Sequence, residues 1–117
     1  MVDKKVLEQK LAELMDIVPE TEGLIAADAN GKVLVGQTIT DMDHGKIAKA
    51  CAAIIKDSNN LGKDIGKGEL RTTTIELESG FAILVGSEKT ILIGLAGLDG
   101  RSSLALLKRN LISISNL

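Results

Sequence analysis

The sequence has one phenylalanine and neither tryptophan nor tyrosine. Single-stranded nucleic acid is usually held on aromatic stacking platforms, and none can be built here. The core must be aliphatic. Cysteine is nearly absent too. Cys51 stands alone and cannot close an internal disulfide. With His44, the one histidine, it falls short of a cysteine or histidine metal site, so no metal and no cofactor is expected. Neither sign of charge dominates, with 14 Lys and Arg against 16 Asp and Glu, net −2. There is no global basic field to attract nucleic acid. The longest apolar run, Ile91 to Leu98, is far below the roughly 20 residues of a membrane span. The opening MVDKKVLEQK has no apolar signal core. Valine at position 2 rules out myristoylation, and no prenylation cysteine closes the chain. The expectation is a soluble cytoplasmic protein with no nucleic-acid partner and no membrane insertion.

What is present suits one domain over residues 1–117, with 44% hydrophobic residues to fill a core. Leu7, Leu11, Leu14, Met15 and Val18 recur at helical spacing. Asp3 is a plausible N-cap and Pro19 a stop, which predicts a helix over 4–18. Strands follow over Gly23–Asp28 and Lys32–Gln37. Asn30-Gly31 between them tolerates the positive φ of a tight hairpin. After Thr40-Asp41-Met42-Asp43, acidic like a helix start, a long helix is predicted from about Asp43 to Leu61, with Gly62 as a left-handed cap. Three strands come next, Leu70–Leu77, Phe81–Gly86 and Ile91–Ala96, joined by short turns at Glu78-Ser79-Gly80 and Ser87-Glu88-Lys89. The last two strands are almost continuously apolar and read as central; the Thr-rich one reads as an edge. Asp99 can cap a final helix over 101–115 with a stripe of Leu104, Leu107, Leu111 and Ile114.

The middle helix organises the chain. At about 100° per residue, Ile47, Cys51, Ile54, Ile55, Ser58 and Leu61 gather on one side and predict a sheet-packing face. Lys46, Lys49, Lys56 and Lys63 gather on another, with Ala53 and Asn60 among them. Ala48 and Ala52 lie between, small enough for a second helix to approach. No enzymatic site is visible. Gly62 to Gly68 lacks the spacing and the Ser or Thr of a phosphate loop, and it follows a helix where a strand is required. Gly94-Leu-Ala-Gly97-Leu-Asp-Gly100 has the wrong spacing for a dinucleotide fingerprint. His44, beside Asp41 and Asp43, reads as a surface histidine, and Cys51 as a small buried hydrophobe.

Three stretches together resemble the roadblock domain of the dynein light-chain family. They are GLIAADANGKVLVG, then GKGELRTTTIEL, then FAILVG and ILIGLAG before a Leu-rich helix. The resemblance runs over about residues 4–115. It implies an α+β fold in the order α-β-β-α-β-β-β-α. The five-stranded antiparallel sheet would have strand order 2-1-5-4-3, with the long helix on one face and the other two helices on the opposite face. It also implies a non-catalytic protein that pairs with itself or with a related roadblock subunit. Third strands would pair and middle helices lie side by side. That carries Leu70, Arg71, Thr72, Thr73, Thr74, Ile75, Glu76, Ala48 and Ala52 into a dimer interface. Some bacterial and archaeal members bind a Ras-like small GTPase on the paired middle helices, which carries Lys46, Lys49, Ala53 and Lys56 into a partner-binding surface. The alternative is a structural adaptor with no effect on GTP turnover. None of Arg71, Arg101 and Arg109 lies on the middle helix, which argues against an arginine finger from it.

Overall fold

The computed structural model describes residues 3–86 and 89–117, so the turn expected at Ser87-Glu88-Lys89 lies mostly outside the described residues. The elements are α1 (Lys4–Ile17), β1 (Thr21–Asp28), β2 (Val33–Thr38), α2 (His44–Asp64), β3 (Thr72–Leu77), β4 (Gly80–Gly86), β5 (Thr90–Gly97), a 3₁₀ turn (Leu98–Ser103) and α3 (Leu104–Ser115). The sheet is antiparallel, in the order β2-β1-β5-β4-β3. Both the element order and the strand order are those expected.

Two cores hold the layers together. On one face α1 and α3 bring Leu7, Leu11, Leu14, Leu107 and Leu111 onto Leu24, Ala26, Ile83 and Leu92. On the other, α2 brings Ala48, Cys51 and Ile55 onto Ile25, Ala27, Leu84 and Ile93. Neighbouring residues of a strand alternate between the two cores, as the pleat requires. This is why β1, β4 and β5 read as unbroken apolar runs: covered on both faces, they have no solvent side.

The ends differ from expectation for local reasons. Asp3 does cap α1, its side chain accepting from the Lys5 N–H at 3.1 Å. The β1–β2 turn closes as a three-residue loop, Ala29 to Gly31. The Gly31 N–H donates to the Asp28 carbonyl and the Asp28 N–H to the Lys32 carbonyl. Gly31 alone of the loop has positive φ, at 85°. That is a type I turn followed by a left-handed glycine. Asp28 Oδ1 accepts from the Asn30 and Lys32 amides and fixes it. Asp99 caps nothing; it lies inside the 3₁₀ turn, and α3 starts after Ser103 without a side-chain cap.

The middle helix runs past Gly62 to Asp64, and the left-handed residue is Gly66, with φ 69°. Gly62 serves a different purpose. It is buried, and its carbonyl accepts from the Lys67 and Gly68 amides at 2.8 and 3.1 Å. A Cβ on Gly62 would collide with the Gly68 carbonyl oxygen. The chain turns back against its own helix there and enters β3.

Replacing a helical glycine by alanine ordinarily stabilises by up to about 1 kcal/mol. Here the collision is with backbone, which cannot move aside, and the sign reverses. Gly62→Ala is expected to destabilise by roughly 1–3 kcal/mol in urea unfolding followed by circular dichroism. A variant as stable as the parent would show that the loop is free to shift.

Candidate interaction surface

The sheet has two edge strands, and they are not equivalent. β2 carries an irregular register between Ala26 and Ala27, and α1 packs along it. Bulges and flanking helices are how an edge is blunted. β3 is regular from Thr72 to Leu77. Its face toward α1 and α3 is uncovered at Thr74 and Glu76, both exposed. Of the expected interface residues, Thr72, Thr73, Thr74, Ile75 and Glu76 lie on this strand. Leu70 and Arg71 precede it, because the Leu70 N–H is taken by Asn59 Oδ1 of α2 at 2.7 Å.

The outer surface of α2 corrects the sequence reading in two ways. Ala48 was expected beside a second helix; it is fully buried against the protomer's own sheet. Ala52 is half-buried and borders the outer surface. Ile54 and Leu61 were expected to pack on the sheet; they are 37% and 59% exposed. The buried arc is Ala48, Cys51, Ile55 and Gly62, three of them small residues; Ala48, Cys51 and Ile55 pack on the sheet, and Gly62 packs on the returning chain. Ile54, Leu61 and Ile65 fall roughly a quarter turn away and form an apolar flank. Leu77, on the α2 side of β3, is similarly exposed at 58%. The small residues at 48, 51 and 62, which fall on one side of the helix, were the available signal, and a hydropathy reading passes over them.

Lys46, Lys49, Ala53 and Lys56 are all exposed. Three of them come together: Lys49, Ala53 and Lys56 line an open recess of about 760 Å³ with Asn30, Asn59 and Glu69. Lys46 lies outside it. No ion pair joins any of these lysines to a described residue. The hairpin tip forms part of the wall, because Gly31 sits against α2. A Cβ there would stand 2.9 Å from the Lys49 Cα and 3.1 Å from the Ala48 carbonyl.

Other candidate groups have structural partners. His44 is half-buried rather than a surface residue among carboxylates; its Nε2 meets Thr38 Oγ1 at 3.0 Å and its ring lies over Gly36. The Arg101 guanidinium stacks 4.9 Å above the Phe81 ring and reaches Glu76 at 3.4 Å. Both partners of that ion pair are exposed, so it adds little stability. The Lys67 and Gly68 amides, which a phosphate would need, point into Gly62. Among the described residues no group of three or more His, Cys, Asp or Glu could hold a metal. No helix among them is long and apolar enough to cross a membrane.

Comparison with known proteins gives a consistent picture. A family model for the Roadblock/LC7 domain matches residues 7–96. A Roadblock/LC7 domain from Streptomyces avermitilis superposes with a TM-score of 0.80 at 19% identity, over 93% of each chain. MglB of Myxococcus xanthus gives 0.79 at 15% identity, over 99% of this chain and 93% of that one. The gliding protein MglB from Thermus thermophilus gives 0.72 at 15%, over 94% and 91%. At these identities the likeness is one of fold. No curated protein sequence matches.

Cys51 supplies a measurable property of the helix–sheet contact. It is 6% exposed, and burial pushes its thiol from an ordinary 9.0 up to about 11. The folded state then holds the proton more tightly than the unfolded chain. The associated stability is complete below pH 9 and is lost as pH rises through 11. Urea unfolding should show a fall of up to about 3 kcal/mol over that window that is absent in Cys51→Ala. An identical alkaline fall in both proteins would assign it to other groups.

Proposed function

This chain belongs to the Roadblock/LC7 domain family, and from that premise we propose that it is a non-catalytic homodimer that binds and regulates a small Ras-like GTPase. The observation that carries the first half is the adjacency of an open, regular edge strand and an apolar helix flank. Thr72 to Leu77 offer unpaired backbone groups. Ile54, Leu61 and Ile65 offer apolar area that the protomer leaves in water. A second copy related by a two-fold axis would satisfy both at once. Among the fold's neighbours, one MglB is described with a tetrameric arrangement, which supports an oligomeric reading.

In such a dimer the two flanks of α2 do different work. The flank with Ile54, Leu61 and Ile65 faces the second copy. The flank with Lys49, Ala53 and Lys56 stays open beside the recess. Lysines so placed steer the encounter with an acidic surface more than they add affinity. The GTPase would be regulated by holding one arrangement of its switch segments. No arginine from α2 enters the nucleotide site, and Arg101 is already stacked on Phe81. Regulation would therefore act on the GTPase's own catalytic groups.

Two measurements test this. Light scattering should give twice 12.3 kDa, and Thr74→Pro, which removes a ladder N–H, should give the monomer mass while keeping the fold. A folded Thr74→Pro dimer places the interface elsewhere. Lys49→Glu with Lys56→Glu should weaken GTPase binding at least about tenfold with the dimer intact. Unchanged binding removes this flank from the site. Binding with unaltered GTP turnover would instead favour an adaptor.

A further inference from the structure

The open edge also fixes how two copies would meet, an inference that rests on the dimer reading above. The Gly86 N–H donates to the Arg71 carbonyl at 3.3 Å. These two residues stand opposite each other in the register that pairs Thr72 with Val85. In an antiparallel ladder, opposed pairs that exchange hydrogen bonds alternate with pairs that do not. Arg71, Thr73, Ile75 and Leu77 therefore turn their backbone groups toward β4. Thr72, Thr74 and Glu76 turn theirs outward, over the open edge. Side chains alternate in step. Thr73 and Ile75, opposite Leu84 and Ala82, lie on the α2 side; Thr72 and Thr74, opposite Val85 and Ile83, lie on the α1–α3 side.

A two-fold axis normal to the sheet keeps both α2 helices on one face. Residues opposed across it must then share a face, so their numbers sum to an even value. Any register centred on a residue of β3 meets that rule; an axis at Thr72 or Leu77 leaves most of the strand unpaired, and one at Glu76 sets two carboxylates directly opposite each other, which leaves three. With the axis at Thr73, Glu76 falls opposite Leu70, whose N–H is already donated to Asn59. With the axis at Ile75, Thr72 falls opposite Glu78, which lies in the turn beyond the strand. The two Glu76 carboxylates would then also be diagonal neighbours, like charge beside like charge. With the axis at Thr74, Thr72 meets Glu76 and Thr74 meets its own copy. Every outward backbone group on β3 finds a partner, and the Glu76 side chains sit at opposite ends of the ladder.

We infer that the chain pairs with a second copy of itself through β3 with Thr74 on the two-fold axis, which sets Thr73 opposite the partner's Ile75. Thr73 and Ile75 would form a pair without mutual hydrogen bonds, the geometry in which Cβ atoms come closest and a disulfide can form.

Cross-linking reads this directly. In a Cys51→Ala background, oxidising a mixture of Thr73→Cys and Ile75→Cys proteins should yield a disulfide-linked dimer, and neither protein alone should. Cross-linking of Thr73→Cys alone would move the axis to Thr73, and of Ile75→Cys alone to Ile75; either overturns the register. The unaltered protein gives a second reading through amide hydrogen exchange. On dimerisation the Thr72, Thr74 and Glu76 amides should slow by at least about tenfold, while those of Thr73 and Ile75 are slow throughout. A fast Glu76 or Thr72 amide overturns the inference and leaves the dimer standing. A monomer mass at every concentration overturns the dimer reading itself.

Discussion

Cover is the constraint on which the rest of this structure depends. A strand buried on both faces needs an apolar layer above and below, and this chain has three helices for five strands. α1 and α3 serve one face and α2 the other. Their combined reach takes in β1, β4 and β5 fully and β2 in part. β3 is left with a bare outer face and a bare edge. The composition of each strand follows from that allocation. Ala26 and Ala27 sit where two layers press from both sides, Ile and Leu fill β4 and β5, and threonine and glutamate occupy β3, where solvent reaches.

Much of this was legible in the sequence, and for a definite reason. Period-2 and period-3.6 patterns record which faces are covered, so the continuous runs Phe81–Gly86 and Ile91–Ala96 placed their strands inside. The Thr-rich run placed its strand at the edge. The middle helix was the hard case. Its buried arc is Ala48, Cys51, Ile55 and Gly62, and three of these are residues that hydropathy ranks below Ile54 and Leu61. A pattern that scores size as hydrophobicity therefore centres the buried face too far toward Ile54 and Leu61, although Cys51 and Ile55, also on the expected face, are buried. The reading of Ala48 as a contact for another helix failed for the same reason: smallness served the helix's own sheet. The glycines misled in a related way. Gly62 looked like a cap because it allows positive φ, whereas its real use is the missing side chain.

The candidate surface was legible only in pieces. Threonines at an edge and lysines on a helix were visible at once. That Lys49 and Lys56 share a wall with Asn30 and Glu69 depends on a hairpin, a helix and a loop meeting in space, which spacing along the chain does not encode. The separation of the two α2 flanks likewise needed the sheet-facing arc to be known first. Once it is, apolar and basic residues prove to be sorted to opposite flanks of one helix, and a single element can meet two different surfaces.

The docking of the hairpin tip on α2 has a further consequence. Gly31 lies backbone to backbone against Ala48 and Lys49, and the Asp28 carboxylate ties the loop by accepting hydrogen bonds from two backbone N–H groups. The two walls of the recess are thus fastened to each other by the fold itself. Association at a mobile surface spends conformational entropy on ordering loops and side chains. Here the backbone share of that cost was met at the hairpin and the helix when the chain folded, and side chains such as Lys49, Lys56, Asn30 and Glu69 remain to be ordered. A partner meeting this wall meets a shape set in advance.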